Sequence, residues 1–392
     1  MKKEKKTKST TVRVDVSTSV LRWALSRSEN IDTINRRLPK IREWLSGESK
    51  PTMRQLEDLA RATYTPLGYF FLSEPPLEQL PAPYFRTITD FPLHALSPNL
   101  IETVQTMMQR QAWMRDYLIE QGQEALPFVG SSSIEDDPRT VAYEMRIALG
   151  LQDGWAADIP NWTRALRELQ NRIESIGIIL VVNGIVANNT KRKLNPDEFR
   201  GFVLVDDYAP LAFVNGADGK AAQMFTLGHE LAHLWLGSSA IFDLRELQPA
   251  SEKLERVSNM IAAEFLVPED KLREIWFSTY REPEVYQTLA RHFKVSELVV
   301  ARRTLDLGFI KKEEFLDFYH KYKAKERSVP QSKKGGNFYA TQNLRVGRYF
   351  AKTIKSAVEE GKLMYHDAYQ LTGLYGKTFE RFVETLELGE ET

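Results

Sequence analysis

The residues best suited to catalysis lie between Met224 and Trp235, in the run Met-Phe-Thr-Leu-Gly-His-Glu-Leu-Ala-His-Leu-Trp. Residues four apart on an α-helix share one face, so His229 and His233 can direct imidazole nitrogens at a single metal ion. Glu230, about 100° further round the helix, can reach a water molecule on that ion. This His-Glu-x-x-His spacing indicates a metal-dependent hydrolytic site.

The helix that carries this motif is predicted to bury the side opposite the histidines. That side holds apolar residues at helical spacing, which is typical of a core-facing stripe: Met224, Leu227, Leu231 and Leu234. The histidine face is then expected to line a cleft, with Phe225 and Leu236 as wall residues. The competing interpretation is an amphipathic surface helix whose two histidines bind nothing.

A catalytic zinc site of this type needs a third protein ligand and keeps one position for water. Glu255 is the preferred candidate because it shares one face of a predicted helix, Ser251 to Leu266, with small side chains that allow close helix packing. Glu252 lies on nearly the same face and is the alternative ligand. Glu264 points the other way and is expected to be solvated or salt-bridged. The chain has no cysteine, so thiolate ligands are excluded.

The run from Phe202 to Pro268 resembles the ImmA/IrrE metallopeptidases, which are zincin-like enzymes of bacteria and phages. Two stretches carry the resemblance: Phe-Thr-Leu-Gly-His-Glu-Leu-Ala-His at 225–233, and Glu-Arg-Val-Ser-Asn-Met-Ile-Ala-Ala-Glu-Phe-Leu-Val-Pro at 255–268. The chain departs from the family pattern at Val257 and Ser258, where the family usually has an acidic or polar residue followed by alanine. Neither departure alters a proposed ligand.

The resemblance implies a metal site and a mechanism. It assigns Zn²⁺ to three ligands, which are His229, His233 and Glu255. It also makes Glu230 the catalytic acid/base that takes the proton of the attacking water. The residue that stabilises the oxyanion is left open, with Tyr208 and His292 as the nameable candidates.

The resemblance also implies a class of partner. Characterised members of the family cleave a repressor protein and thereby release a silenced operon. The expected partner is therefore a repressor or antitoxin-like protein substrate, with a toxin encoded nearby and DNA as further candidates. The leading hypothesis is a zinc metalloendopeptidase that regulates gene expression. The alternative is a DNA-binding regulator or antitoxin whose peptidase site is vestigial.

Length and composition fit a cytoplasmic protein of several modules. The chain has 392 residues, of which 42% are hydrophobic and 27% charged, and its net charge is zero. No apolar run approaches the ~18 residues that a membrane-spanning helix requires, and the Lys-rich start has no apolar core typical of a secretion signal. We therefore expect no membrane partner. Residues 1–72 hold 15 Lys and Arg against 8 Asp and Glu, so the amino-terminal end is basic.

The first predicted module is helical and resembles repressor-type helix-turn-helix domains. Helices are expected near 17–28, 31–37, 39–45 and 52–63, with Thr52 and Gln55 forming a capping box. The usual turn glycine before the recognition helix is missing. Phosphate contacts are assigned to four basic residues, although a protein-docking role is equally compatible with them: Arg36, Arg37, Lys40 and Arg42.

A second region with helix-turn-helix spacing follows the predicted peptidase core. It runs from Val285 to Arg303, and its basic candidates for nucleic-acid contact are Arg291, Lys294, Arg302 and Arg303. In the ImmA/IrrE family a similar unit packs against the peptidase core, so the resemblance favours a structural role for this region.

The predicted fold class is α+β, mostly α, with a zincin-like core of a small sheet and the His-Glu-x-x-His helix, flanked by helical modules. Strands are expected at 178–182, 201–205 and 211–214. Five regions follow from these patterns: a helix-turn-helix-like module at 1–80, a helical connector at 81–160, the peptidase core at 161–282, a helix-turn-helix-like region at 283–327, and a linker with a small helical module at 328–392.

Overall fold

A computed structural model describes residues 12–28, 31–76, 96–238, 241–242, 253–326 and 338–388. These residues form two compact units, one ending at residue 102 and the other beginning at residue 103. The first part of the predicted connector, residues 81–95, the linker residues 328–337 and the alternative ligand Glu252 lie outside the described residues.

The first unit contains four short α-helices and a 3-10 helix, at bounds close to those predicted. They are α1 (Thr18–Ser26), α2 (Ile31–Arg37), α3 (Ile41–Ser46), α4 (Met53–Thr63) and the 3-10 helix Leu67–Phe71. Apolar residues from all five elements share one core, which includes Leu21, Ile34, Trp44, Leu56 and Phe70. The predicted capping box at the start of α4 is confirmed, with both reciprocal hydrogen bonds of Thr52 and Gln55 present.

The second unit holds most of α5 (Pro98–Glu120), followed by α6 (Pro138–Ala148) and α7 (Trp162–Ser175). Two of these helices begin at side-chain caps. Asp137 accepts a hydrogen bond from the amide of Arg139, and Asn161 accepts one from the amide of Arg164. Such caps satisfy amide groups that have no partner inside the helix. They therefore stabilise the first turns of α6 and α7.

The sheet has the strand order β1-β3-β2-β4. Its strands are β1 (Ile179–Asn183), β2 (Gly201–Leu204), β3 (Leu211–Asn215) and β4 (Ile241–Phe242). β1 pairs with β3 in parallel, whereas β2 runs antiparallel to both β3 and β4. Every residue of β1, β2 and β3 is buried, as expected for strands covered on both faces. The two-residue β4 was not predicted.

The motif helix is α8 (Lys220–Trp235), which lies on β2 and β3, and α9 (Lys253–Leu266) packs along it. The carboxyl end of α8 is held by the loop that precedes α6. In that loop, Gly130 and Ser132 donate backbone hydrogen bonds to the carbonyls of Leu234 and Trp235, at 2.9 Å each. The ring of Phe128 stacks on Trp235 with centroids 4.6 Å apart. These contacts fix the helix that carries the histidines.

Four further helices follow α9: α10 (Glu269–Thr279), α11 (Val285–Phe293), α12 (Glu297–Asp306) and α13 (Lys312–Glu326). The predicted helix pair at Val285 to Arg303 corresponds to α11 and α12, joined by a turn in which Lys294 adopts φ 56°. Leu289, Phe293 and Val300 belong to the same apolar core as Trp235 of α8. This region is therefore part of the core of the second unit.

The last helices of the second unit are α14 (Phe338–Val346), α15 (Arg348–Glu359), α16 (Tyr365–Thr372) and α17 (Lys377–Leu388). Both α14 and α15 pack against β1. The buried guanidinium of Arg110 on α5 donates to the carbonyls of Leu371 at 2.8 Å and Arg345 at 3.1 Å. These carbonyls lie near the ends of α16 and α14, so one cation joins α5 to both helices.

Helices dominate the described residues and the sheet is small, which confirms the predicted α+β, mostly α class. Within those residues, no helix combines the length and the apolar character needed to cross a membrane.

Arg303 is not placed as a nucleic-acid contact would require. Its guanidinium is buried, pairs with the Glu264 carboxylate and also donates to the carbonyl of Val267 at 3.3 Å. This pairing accounts for Glu264, which was expected to be solvated or salt-bridged. Arg302 is partly exposed and pairs with Asp306 at 2.9 Å. Because a guanidinium held inside the core does not reach a phosphate, the structure argues against a DNA contact by Arg303.

The pair formed by Arg303 and Glu264 should be important for stability. Replacing Arg303→Met leaves the buried Glu264 carboxylate without its cation, and we expect the free energy of unfolding to fall by about 3–5 kcal/mol. Arg302→Met is the matched control and should cost at most about 1 kcal/mol. Denaturant unfolding of both variants measures the difference. Equal effects of the two substitutions would contradict a core role for Arg303.

Candidate metal centre

The packing of α9 along α8 brings the three predicted ligands together. His229 and His233 lie one turn apart on α8, and Glu255 lies in the first turn of α9. His229 Nε2 is 3.3 Å from Glu255 Oε2, and His233 Nε2 is 3.4 Å from Glu255 Oε1. The two Nε2 atoms are 2.9 Å apart. Among the described residues, this is the group of His, Cys, Asp and Glu side chains that could hold a metal ion.

These separations fit one small divalent cation. Ligand bonds of about 2.0–2.1 Å arranged as a tetrahedron place neighbouring donor atoms about 3.3 Å apart. The two distances from the imidazoles to Glu255 match that value. The shorter distance between the imidazoles corresponds to an angle of roughly 90° at such an ion. The donor set therefore fits a metal without a change in the helix packing.

The burial of these side chains gives a second test of whether a metal ion fits the site. His229, Glu230 and His233 have no exposed surface, and the side chain of Glu255 is 17% exposed. Neither oxygen of Glu230 has a hydrogen-bond partner among the described residues, and the same holds for Nδ1 of His233. Buried polar atoms normally have partners, because leaving them without any is costly. The oxygens of Glu230 are atoms that a metal-bound water would satisfy, whereas Nδ1 of His233 is not the ring nitrogen that faces Glu255.

The histidine face was expected to line an open cleft, and in this respect the prediction is wrong. His229 and His233 are fully buried, while Glu255 provides the exposed part of the ligand set. Phe225 and Leu236, the predicted wall residues, are partly buried and pack against the apolar core. The histidines are buried by β2 and α9, which lie outside the sequence of α8. The periodicity of α8 therefore could not predict this burial.

The pKa values of the two glutamates are shifted in opposite directions. Burial and the neighbouring Glu255 carboxylate raise the pKa of Glu230 well above its ordinary value. Burial alone would also raise the pKa of Glu255, but its hydrogen bonds with His229 and His233 outweigh that effect and hold the pKa well below the usual range. Glu255 is thus suited to act as an anionic ligand, and Glu230 as a group that can carry a proton.

Burial also keeps the first histidine neutral. It lowers the pKa of His229 to about 4, although the hydrogen bond with Glu255 acts in the opposite direction. A neutral imidazole has a free nitrogen lone pair, which is the form that binds metals. Nδ1 of His229 lies 3.0 Å from Oδ1 of Asn259, one turn beyond Glu255 on α9.

The catalytic candidate Glu230 is positioned by the sheet. A Cβ atom added to Gly201 on β2 would lie 2.8 Å from Oε1 of Glu230 and 2.6 Å from Cγ2 of Thr226. These distances are shorter than van der Waals contact, so only glycine lets β2 approach α8 this closely. The sequence offered no signal for this contact, because Gly201 was predicted only as the start of a strand.

The two oxyanion candidates are not brought to the centre by any described contact. Tyr208 lies in the loop after β2, at the end of the strand opposite Gly201, and its amide donates to Asp206. His292 lies on α11, where burial and Lys294 lower its pKa.

The basic candidates of the first unit lie where a ligand could reach them. Arg36, Arg37, Lys40 and Arg42 are all exposed, at the end of α2 and the start of α3. Arg36 also donates to the carbonyl of Asp32 at 3.3 Å.

A small sheet beside a His-Glu-x-x-His helix, with the third ligand on the helix that follows, defines a zincin-like metal centre. Residues 177–305 match the family model described as the IrrE N-terminal-like domain, peptidase M78. This match confirms the resemblance of this region to the ImmA/IrrE peptidases that the sequence showed. Residues 346–385 match a domain of unknown function, DUF8813. No curated protein matches the chain.

The contact between β2 and α8 predicts the effect of a single methyl group. Gly201→Ala places Cβ against Thr226 and Glu230, and we expect a loss of about 1–3 kcal/mol in the free energy of unfolding. Gly219→Ala is the control, because a Cβ at Gly219 has no neighbour within 4 Å. Thermal unfolding compares the two variants. Equal stability of both would show that β2 does not approach Glu230 as described.

Proposed function

We propose that the protein is a zinc-dependent endopeptidase that cleaves a specific partner protein, a transcriptional repressor or an antitoxin, and thereby regulates gene expression. The observation that carries the proposal is the convergence of His229, His233 and Glu255 beside Glu230. The match of residues 177–305 to a peptidase family supports a protein substrate. Two imidazoles and one carboxylate are a donor set that zinc hydrolases use.

When bound, zinc polarises the scissile carbonyl and makes a water molecule acidic enough to attack it near neutral pH. Glu230 takes the proton of that water at a carboxylate oxygen. Because burial and Glu255 raise the pKa of Glu230, this residue holds the proton until it returns it to the nitrogen of the leaving amine. His229, His233 and Glu255 fix the geometry, and the dry surroundings strengthen each of these interactions.

Replacing Glu230→Gln tests this role directly. The amide keeps the shape of the side chain but cannot accept the proton, so cleavage of the protein encoded by the neighbouring gene should fall by about 10²–10⁴-fold. Metal content, measured by elemental analysis, should not change. Glu274→Gln, at an exposed position on α10, is the matched control. Equal cleavage by the wild type and the Glu230→Gln variant would contradict the proposal.

A second function has its own structural support. The helices α2 and α3 are joined by three residues, Leu38 to Lys40, a turn length typical of helix-turn-helix motifs. Their junction carries the four exposed basic residues, which are Arg36, Arg37, Lys40 and Arg42. We propose on this basis that the first unit binds DNA. DNA binding is compatible with peptidase activity. It is also required by the alternative hypothesis, in which the protein is a DNA-binding regulator and its peptidase site is vestigial.

Salt dependence tests the DNA hypothesis. If Lys40 and Arg42 contact phosphates, then Lys40→Ala and Arg42→Ala should each reduce the slope of log affinity against log salt by about one. Arg61→Ala on α4 is the control, since Arg61 pairs with Glu57. Gel shifts with the protein's own promoter provide the measurement. Identical slopes for all three variants, or no shift with the wild type, would reject DNA binding through this junction.

A further inference from the structure

The direction of the Glu230 carboxylate is not fixed by any hydrogen bond within the part of the chain that the structure describes. Neither of its oxygens has a partner there, and the residue has no exposed surface. A general base must be aimed at one water molecule, so its carboxylate needs a defined orientation. The orientation of Glu230 therefore depends on the atoms that pack around it.

Two of the residues that pack there are Gly201 and Thr226. The point at which a Cβ of Gly201 would lie is 2.8 Å from Oε1 of Glu230 and 2.6 Å from Cγ2 of Thr226. Thr226 and Glu230 are four positions apart on α8, so both side chains project from one helix face. The methyl group of Thr226, the α-carbon of Gly201 and the carboxylate of Glu230 therefore meet at one place between α8 and β2.

The hydroxyl group of Thr226 has a different environment from its methyl group. Thr226 is fully buried, and its Oγ1 has no hydrogen-bond partner among the described residues. A helical threonine often donates to a carbonyl three or four residues earlier, and that bond then selects its rotamer. With no such bond at Thr226, the rotamer is set by the packing of Cγ2 against β2. A buried hydroxyl without a partner is itself costly.

We propose that Thr226 is a positioning residue whose methyl group, held against Gly201, keeps the carboxylate of Glu230 in place, and whose hydroxyl group is dispensable. The proposal rests on the catalytic role proposed for Glu230. It gives Thr226 no contact with substrate, metal or the attacking water. Its consequence for the sequence is a matched pair, in which position 226 needs a methyl group on Cβ and position 201 must have no Cβ.

The first test is thermal unfolding of the full chain, which depends on neither metal nor activity. Thr226→Ser removes the methyl group but keeps the hydroxyl, and the unfolding midpoint should fall by about 2–4 °C. Gly201→Ala should then cost less in the Thr226→Ser background than in the wild type, because the shortest contact of the new Cβ is with the missing methyl group. Thr226→Ser combined with Glu230→Gln should also be non-additive.

Thr226→Val separates the methyl group from the hydroxyl. Valine keeps a methyl group in place of Cγ2 and removes the unpaired hydroxyl, so the midpoint should stay the same or rise. Thr372→Val is the matched control, since Thr372 is also buried but donates its hydroxyl to the carbonyl of Ala368 at 2.7 Å. The control should lower the midpoint by about 2–4 °C. An equal loss in Thr226→Val would overturn the assignment to the methyl group.

The second test is cleavage of the protein encoded by the neighbouring gene, measured well below the unfolding midpoints. In Thr226→Ser, kcat should fall by about 10–100-fold with little change in KM, because a misplaced carboxylate affects the chemical step. Thr226→Val should restore kcat to within a few-fold of the wild type. Zinc content, measured by elemental analysis, should be the same in all three proteins.

The outcomes separate this proposal from the proposed function. A wild-type kcat in Thr226→Ser, or additive effects in both combinations, would overturn the role of Thr226 and leave the peptidase proposal intact. A wild-type chain that cleaves nothing would reject the peptidase. In that case, non-additive effects together with a stable Thr226→Val variant would still support the positioning of Glu230 by Thr226.

Discussion

Two imidazoles and two carboxylates form one largely buried cluster where α8, α9 and β2 meet, and the interactions between their charges constrain the structure around them. An ionised carboxylate in such surroundings is costly unless it is paired. Glu255 faces both rings, while Glu230 has no partner among the described residues. A single divalent cation would compensate these charges together, and the arrangement of all three elements is compatible with holding one.

Each of the three elements, α8, β2 and α9, is held by a separate contact. The carboxyl end of α8 is tied to the loop around Gly130, and β2 is brought against Glu230 by Gly201. On the far side of α9, the buried pair of Glu264 and Arg303 joins it to α12. The helices after α9 thus help to hold α9 in place. The region with helix-turn-helix spacing, which contains α12, takes part in this support.

The parts of the site that depend on local spacing were predictable from the sequence. His229 and His233 are four positions apart, which places them on one helix face, and the small side chains around Glu255 indicated the helix face that meets α8. A helix start was predictable where a capping residue is present, as at Thr52. The strands β1 to β3 were found because buried strands form continuous apolar runs.

The remainder depends on contacts between residues far apart in sequence. The cover over the histidines comes from β2 and α9, and helical periodicity carries no information about it. Charge alone suggested a DNA contact for Arg303, whereas its burial beside Glu264 is decided by tertiary packing. The contact of 3.0 Å between Nδ1 of His229 and Oδ1 of Asn259 likewise depends on the packing of α9 against α8. A strand of two residues, such as β4, is too short to leave a pattern.

The most direct test of the central claim is X-ray absorption spectroscopy of the zinc-loaded full chain, with the zinc content measured on the same sample. The account predicts one zinc ion per chain, with two imidazole nitrogens and carboxylate or water oxygens at about 2.0–2.1 Å. A chain that retains no stoichiometric zinc, or a zinc ion whose spectrum shows no imidazole ligands, would contradict it.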